Sequence, residues 1–393
     1  MILRPYQLKA SKFLQPRRRP FVHAPAGSGK TVIAAHALSE VVFDGAIVKW
    51  LANTREQVDQ AVKALYSFSP QVNVDLEVCC VASEPDTRNA DFIVIDEAHH
   101  SPARTWKTCV DAAPPNCRIW GLSATPWSGD PERDALLRSV FTEFHTVERA
   151  ELVAAGNLEE GKAFLWDIDA EGEFDDRIAE QTKPELEKAM RRFSYLKARI
   201  ETARAAGQEE AAKGFEEVRK AKESEQSRYI SWRFTQEALR NNGPRNEFAV
   251  AKATEEVANG QSVLMLVHAI EHGQELLAGL PGAEMVYSKI GAKKRRDRIG
   301  AFRDGSLKCL IATSLADEGL DVPVASRLIL VAGGRSAGKL EQRAGRVLRP
   351  YAGKTGGIIH DFLDRGARLA NAQAWARLRT YESLGYEPEI QSA

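Results

Sequence analysis

A glycine-rich turn between an apolar run and a helical stretch constrains the fold of this chain most strongly. The run at 21–23 leads into the segment 24–31, which reads Ala-Pro-Ala-Gly-Ser-Gly-Lys-Thr, and a helical pattern continues over 31–42. Glycines let a backbone fold around an anion with its N–H groups pointing inward, and the following helix N-terminus adds partial positive charge. The Lys30 side chain suits the β- and γ-phosphates of a nucleotide, and the Thr31 hydroxyl suits Mg²⁺. The turn therefore predicts a phosphate-binding loop in an α/β domain, although an alanine replaces the usual first glycine.

Short apolar runs alternate with helical stretches in two separate parts of the chain. The runs lie at 21–23, 46–48 and 92–95, and again at 263–267, 309–312 and 328–331. Runs of this kind, separated by helices, are typical of parallel strands that are buried on both faces. The pattern predicts two α/β domains, residues 1–164 and residues 246–393, and the second domain ends in a helix.

Residues 165–245, between these domains, have a different pattern. Over 167–176 they contain acidic side chains and no Lys or Arg, which we interpret as a solvated linker. A helical pattern then starts near Pro184, breaks at Gly207 and stops at the Asn-Asn-Gly-Pro sequence at 241–244. Two long helices joined at a glycine predict an antiparallel helical hairpin, and a looser helical bundle is the alternative.

Charge and cysteine content argue against several classes of protein. The 393 residues include 54 basic and 54 acidic side chains, with a net charge of −5 over 151–260 and +5 over 261–393. A neutral total still permits a local basic face for nucleic acid. Five cysteines without a C-x-x-C pair argue against a disulfide framework or a zinc ribbon. No signal peptide or membrane span is expected, and the expected location is a reducing cytoplasm.

Two acidic residues directly follow the apolar run at 92–95. Asp96 and Glu97 would stand at the C-terminal end of a strand, where α/β proteins bind their ligands. Asp96 is a candidate to hold Mg²⁺ through water, and Glu97 is a candidate to orient and deprotonate an attacking water. The two histidines that follow, His99 and His100, are adjacent and cannot easily share one metal, so we assign them to the same motif.

With five further motifs, these residues resemble the DEAH-box helicases of superfamily 2. The motifs are Arg4-Pro5-Tyr6-Gln7, Leu51-Ala52-Asn53-Thr54-Arg55, Ser123-Ala124-Thr125-Pro126, the segment 312–323 and the segment 342–349. Their order and spacing match the family over nearly the whole chain, and the first is similar to the adenine-recognition element of the UvsW, RecG and XPB-like branch. No second strand-contact motif is visible between residues 66 and 90. The resemblance implies two RecA-like domains with a helical hairpin insertion and ATP bound between the domains.

The resemblance also implies a role for each matching residue. Contacts to the nucleotide are implied for Arg4, Gln7, Ala26, Gly27, Ser28, Gly29, Lys30, Thr31, Gly319 and Asp321, with Mg²⁺ at Thr31 and Asp96. Catalytic roles are implied for Lys30, Asp96, Glu97, Arg346 and Arg349; the two arginines are three residues apart and would share one helix face. Coupling of hydrolysis to domain closure is implied for Ser123, Thr125 and Gln342. Contacts to the nucleic-acid backbone are implied for Thr54, Arg55 and Thr313.

The implied function is ATP-dependent movement on DNA and its unwinding, branched DNA included. The implied setting is replication, recombination or repair in a bacterial or phage-infected cell. An RNA helicase is one alternative, and a restriction or defence subunit that moves on duplex DNA without unwinding it is another. The hairpin is expected either to rest on DNA or to dock a protein partner. Its aromatic residues Trp232 and Phe234 are expected to pack at its base rather than to stack on bases.

Overall fold

The computed structural model contains two parallel β-sheets flanked by helices. It describes the chain except for residues 1, 26, 53–54, 69–73, 84, 102, 125–126, 128–130, 159–160, 169–172, 314–319, 321, 332, 335–339, 341–342, 346, 348–350, 352–353, 355 and 385. For residues 55, 56, 60, 82, 100, 173–175 and 383 it describes the backbone alone. No helix in this described part of the chain is both long and apolar enough to span a membrane.

The first sheet has six parallel strands in the order β3-β2-β4-β5-β1-β6. Its strands are β1 Pro20–His23, β2 Ala46–Ala52, β3 Val74–Cys80, β4 Phe92–Asp96, β5 Arg118–Ser123 and β6 Glu143–Thr146. The accompanying helices are α1 Pro5–Leu14, α2 Lys30–Val41, α3 Arg55–Ser67, α4 Arg104–Ala112, α5 Pro131–Val140 and α6 Arg149–Ala154. The central strand β4 is buried along its whole length, as expected for a strand covered by helices on both faces.

The second sheet has seven parallel strands in the order β13-β7-β12-β11-β8-β10-β9. Its strands are β7 Gly161–Ile168, β8 Val263–Val267, β9 Glu284–Val286, β10 Cys309–Thr313, β11 Arg327–Leu330, β12 Gly357–Asp364 and β13 Pro388–Ser392. The predicted domain boundary at residue 164 falls inside β7, which pairs with β12 and β13, so the boundary lies before this strand. Local pattern could not reveal this because both partner strands lie near the other end of the chain.

Three helices form the insertion: α7 Glu173–Arg191, α8 Ser194–Ala205 and α9 Glu209–Arg240. The ion pair between Arg204 and Glu216 and the contact between Arg233 and Glu185 show that α7 and α8 run antiparallel to α9. The antiparallel hairpin is confirmed, and its turn contains Gly207 with φ of +71°. The prediction of two helices was wrong, because the first arm is interrupted by a turn at residues 192–193. The predicted helix start near Pro184 was wrong, because α7 begins at Glu173. Pro184 lies inside this helix on an exposed surface. There, water can hydrogen-bond to the backbone carbonyl oxygen that has no amide donor because proline lacks an N–H group.

The remaining helices of the second domain are α10 Gly243–Ala258, α11 Ile270–Ala278, α12 Ala292–Arg303 and α13 Arg368–Ser383. The predicted C-terminal helix is α13, but it does not end the domain, because β13 follows it and pairs with β7. The base of the hairpin packs on this domain, because Leu239 of α9 and Ile178 of α7 share an apolar cluster with Ala367 and Ala370. Since α9 leads directly into α10, whose start lies beside the C-terminal end of β12, the hairpin projects from the carboxyl edge of the second sheet. The predicted fold of two α/β domains with a helical insertion is confirmed.

Candidate active site

The glycine-rich turn adopts a conformation that only glycine tolerates easily. Gly27 and Gly29 have φ values of +85° and +79°, in the left-handed region. A β-carbon on Gly29 would lie 2.6 Å from Nε2 of Gln7, so the position has no room for a side chain. Among the described residues the buried hydroxyl of Ser28 has no hydrogen-bond partner. Such an unsatisfied buried group needs an explanation, and a bound phosphate oxygen supplies one.

The start of α1 is tied to this turn by hydrogen bonds. Tyr6 Oη and Gln7 Nε2 both donate to the carbonyl oxygen of Ser28, over 2.9 and 3.0 Å. The other end of the Gln7 amide accepts from the backbone N–H of Arg4 at 3.1 Å. Gln7 thus connects the helix start to the phosphate loop, while the adenine contacts of Arg4 and Gln7 stay predictions. Tyr6 lies within the quoted motif but was missed as a functional residue.

Lys30 begins α2 directly after the turn, and its ammonium group reaches back over the loop. Its Nζ donates to the carbonyl oxygen of Ala24 at 3.2 Å, so the charge lies above the amide-lined turn. Thr31 follows in the first turn of the same helix. The loop, Lys30 and Thr31 together form an anion-binding arrangement at a helix N-terminus.

Asp96 and Glu97 lie at the carboxyl end of β4, two strands away from β1 in the sheet. Burial raises the pKa of Asp96, and the adjacent Glu97 carboxylate raises it further, while the Lys30 charge opposes the shift. Glu97 has φ of +54° and is the only described non-glycine residue with a positive φ. A backbone held in this region costs about 1–3 kcal/mol and occurs preferentially at functional sites.

Ser123 connects these acids to the strand that separates them from the phosphate loop. It ends β5, which pairs with both β4 and β1. Its hydroxyl is 2.8 Å from Nδ1 of His99 and 3.5 Å from a carboxylate oxygen of Glu97, and His99 Nδ1 is 3.4 Å from that same oxygen. Glu97, His99 and Ser123 thus form a continuous chain of polar contacts from the acids to β5.

His23 gives a second connection between the loop and β5, and sequence reasoning missed it. Its Nε2 lies 2.8 Å from the carbonyl oxygen of Ala124, and the backbone N–H of Ala24 donates to the Ser123 carbonyl at 3.0 Å. Burial lowers the pKa of His23, so the ring is neutral near pH 7 and donates this hydrogen bond. Its position directly before the loop was the available signal.

Buried ion pairs hold the carboxyl edge of the second sheet. Arg377 of α13 binds both carboxylate oxygens of Asp361 at 2.7 and 2.8 Å and also donates to the carbonyl of Gly334. Arg245 of α10 binds Asp364 at 2.7 Å and donates to the carbonyl of Val331. Both guanidinium groups therefore fix the backbone that follows β11, upstream of the predicted arginine fingers.

Two family models match the chain, one in each domain. Residues 76–128 match the type III restriction enzyme res subunit, and residues 248–351 match the helicase conserved C-terminal domain. One match is to a helicase domain, and the two matches together support the resemblance to superfamily 2 helicases. The first match contains the strand ending at Asp96, and the second contains the strand ending at Thr313.

Relatives of these helicase domains come from archaea and an archaeal virus. "Putative helicase 22" of Sulfolobus islandicus filamentous virus is 30% identical over 279 residues, 70% of this chain and 43% of that protein. "Putative DNA 3'-5' helicase Rad25" of Halobacterium salinarum is 25% identical over 368 residues, 88% of this chain and 52% of that protein. The chain thus spans about half the length of these two relatives.

The helicase domain of Pyrococcus furiosus Hef has the same fold. The two structures superpose with a TM-score of 0.52 at 16% identity, over 95% of this chain and 98% of that one. At this level of identity the similarity is evidence for the fold, and it confirms the predicted pair of RecA-like domains.

The described part of the helicase core brings together most of the predicted residues of the first domain. The carboxyl ends of β1, β4 and β5 hold Gly27, Ser28, Gly29, Lys30, Thr31, Asp96, Glu97 and Ser123. Arg4 and Gln7 lie beside the loop. Thr313 ends β10 in the second sheet and is buried. The remaining predicted residues lie outside the described part of the chain. They are Ala26, Thr54, Thr125, Gly319, Asp321, Gln342, Arg346, Arg349 and the side chain of Arg55.

Proposed function

We propose that the chain hydrolyses ATP and uses the energy to move along DNA and separate its strands. The observation that carries this proposal is the meeting of a phosphate-type loop, two acids and a serine at the ends of three neighbouring parallel strands. The loop, Lys30 and Thr31 would bind the phosphates, and the unsatisfied Ser28 hydroxyl fits a phosphate oxygen. Thr31 and Asp96 would hold Mg²⁺, which neutralises phosphate charge when bound.

Glu97 is the candidate general base of this reaction. Its carboxylate is within reach of His99 and Ser123, and its strained backbone fixes the direction in which the side chain projects. A carboxylate held in this way orients a water for attack on the γ-phosphate and accepts its proton. When the γ-phosphate leaves, the Glu97 contact changes, and His99 and Ser123 would transmit that change to β5.

The second domain would complete the nucleotide site. Arg346 and Arg349 are the proposed donors to the charge that develops on the γ-phosphate, with Gly319, Asp321 and Gln342 beside them. An arginine used in this way contributes roughly 10³–10⁵ in rate in related phosphoryl-transfer enzymes. The buried Arg377 and Arg245 would hold the preceding backbone so that this segment meets the nucleotide in one orientation.

DNA is the proposed track, and branched intermediates of replication, recombination or repair are the proposed substrates. The Halobacterium relative is named a DNA 3'-5' helicase, and the chain resembles the same XPB-like, DEAH-box branch. Thr54, Arg55 and Thr313 are the proposed backbone contacts, and such contacts carry no sequence information. The cytoplasm of an infected or bacterial cell is the proposed location.

A second candidate function is movement on duplex DNA without unwinding. The match of residues 76–128 to a restriction-enzyme subunit favours this reading, and a Sulfurisphaera tokodaii relative, 20% identical over 361 residues, is named a DNA 3'-5' translocase. In this case the hairpin would dock a protein partner.

One set of assays separates these functions. ATP hydrolysis is measured with single-stranded DNA, duplex, fork, Holliday junction, R-loop and RNA, beside strand-displacement and triplex-displacement assays. A DNA helicase displaces the strand of a fork and responds to DNA over RNA. A duplex translocase removes the triplex strand alone, and stimulation by RNA alone would contradict both proposals.

A further inference from the structure

An exposed aromatic pair lies on the last third of α9. The rings of Tyr229 and Trp232 are 6.3 Å apart with an angle of 33° between their planes. The residues are three positions apart and so share one face of the helix. Tyr229 is 55% exposed, although most exposed positions of this helix carry charged side chains. Trp232 is partly buried, so the residue retains some exposed surface.

The pair lies at the carboxyl edge of the second sheet. The ring of Trp232 meets the ring of His268 edge-on, with 4.9 Å between centroids, and His268 directly follows β8. The last residue of β8, Val267, pairs with Thr313 at the end of β10. The aromatic pair therefore stands beside the strand end at which we predict a contact to the nucleic-acid backbone.

Basic side chains flank the pair on the same helix. Arg228 is exposed and lies one helical turn before Trp232. Arg233 is also exposed, and its distance to Glu185 is 3.9 Å, which leaves that pair weak. Aromatic rings beside arginines that can reach phosphates are the combination with which proteins bind unpaired nucleic-acid strands.

We propose that Tyr229 and Trp232 form a stacking platform for an unpaired nucleobase at the base of the hairpin. The proposal rests on the proposed action on DNA and names a contact that the helicase motifs do not include. Trp232 then has two roles, because its ring packs on that of His268 as expected for the hairpin base while Tyr229 extends the aromatic surface into solvent. Every base has a π-face, so the platform favours single strands over duplex and discriminates little between sequences.

The test measures binding of a labelled single-stranded oligonucleotide and of the same strand with abasic sites. Removing the Tyr229 ring in Tyr229→Ala should weaken binding of the normal strand about tenfold, because base stacking on an aromatic side chain is lost. On the abasic strand, wild type and variant should bind equally. Trp232→Phe should retain most of the affinity that Trp232→Ala loses, because the phenyl ring still stacks.

Two controls separate stacking from a general loss of the hairpin surface. Tyr195 lies on α8 of the same hairpin and is 49% exposed, so Tyr195→Ala removes a similar exposed ring from a different helix. We expect its binding to equal that of wild type. Salt dependence is the second control, measured as the slope of log affinity against log salt concentration. Tyr229→Ala should keep the wild-type slope, whereas Arg228→Ala should reduce its magnitude by about one, because one phosphate contact is lost.

Equal affinity of the wild type for normal and abasic strands would overturn the stacking platform. So would a loss in Tyr195→Ala as large as that in Tyr229→Ala. Either result leaves the proposed function intact if DNA still stimulates ATP hydrolysis. A wild-type protein that neither binds single strands nor hydrolyses ATP would instead contradict the proposed function itself.

Discussion

The carboxyl edges of the two sheets are held by different kinds of interaction. In the first sheet, side chains of Tyr6, Gln7 and Lys30 donate to backbone carbonyls around the phosphate loop. The Lys30 charge also acts on the Asp96 carboxyl group, whose pKa it lowers. In the second sheet, Arg377 and Arg245 are buried against carboxylates.

This difference indicates how each edge is used. The charged side chains at the edge of the first sheet are available to a ligand. This arrangement is unfavourable for the stability of the fold, because Asp96 and Glu97 repel each other in a buried site. At the edge of the second sheet, the buried charges pair with each other and hydrogen-bond to the protein backbone. Substitutions at the first edge should therefore affect activity more than stability, and substitutions at the second edge should affect both.

The largest expected effect is that of Lys30→Ala on turnover. The change removes the cation of the phosphate loop, so ATP hydrolysis should fall to background. Stability should fall by about 1 kcal/mol, because a partly buried hydrogen bond to Ala24 and the attraction to Asp96 are lost. Steady-state hydrolysis and urea unfolding measure the two quantities. Near-normal turnover would remove the phosphate-loop assignment.

The next effect is that of Glu97→Gln, which keeps the side-chain shape and removes its basicity. Hydrolysis should fall about 100-fold or more, while nucleotide binding with Mg²⁺ persists. Stability should rise slightly, because the buried repulsion with Asp96 disappears. Single-turnover kinetics and equilibrium binding check both parts, and a variant with normal turnover would assign the base to another residue.

Breaking the buried pair of the second edge should cost stability. Arg377→Ala leaves Asp361 buried without its partner, for which about 3–5 kcal/mol is expected. The matched control is Arg327→Ala, which breaks a buried pair with Glu256 at the amino end of β11, over 2.7 Å. Urea unfolding should give comparable losses for the two variants.

The conservative versions of these variants sharpen the comparison. Arg377→Lys keeps the charge but cannot reach Asp361 and the Gly334 carbonyl as the planar fork does, so kcat should fall more than KM rises. Arg327→Lys, measured at the same folded fraction, should leave kcat unchanged. Equal kcat values in both variants would mean that the second edge serves stability alone.

The last expected effect appears only in acid. Burial lowers the pKa of His272 to about 4, and the ring lies 2.9 Å from the amide oxygen of Asn246. Because the unfolded chain takes up this proton near pH 6.5 and the folded one near pH 4, stability is complete above pH 6.5 and declines below it. The loss should reach about 3 kcal/mol by pH 4. His272→Gln should flatten the unfolding free energy over this window, and an unchanged slope would contradict the assignment.

The sequence predicted those features of the site that depend on residues close together in the chain. The loop at 24–31 and the acids Asp96 and Glu97 were expected at one edge because each motif is contiguous and parallel strands bring their carboxyl ends together. The described residues of both motifs do lie at the carboxyl ends of β1 and β4, two strands apart in the same sheet. The predicted start of α7 was wrong for two reasons. The acidic residues in its first turns resemble a linker, and Pro184 resembles the first residue of a helix. Tertiary packing decides such positions, and propensity alone does not.

Interactions between distant segments were not predictable in the same way. Arg245 and Asp364 are far apart in sequence, and neither position carries a pattern that distinguishes a buried ion pair from two solvated charges. The same holds for β7, whose partners lie near the C-terminal end of the chain. His23 was missed because a single histidine before the loop has meaning only once β5 is beside it.

The attachment of the hairpin to one domain makes it a lever. At 32 residues, α9 is about 48 Å long, because a helix rises about 1.5 Å per residue. If the second domain rotates as a rigid unit, each degree moves the far end of α9 by about 0.8 Å, a displacement set by this length. A rotation of about four degrees then carries the tip over the 3.4 Å spacing between successive bases of a strand. The length of α9 would thus convert a small rotation of the second domain into a displacement of molecular size at its tip.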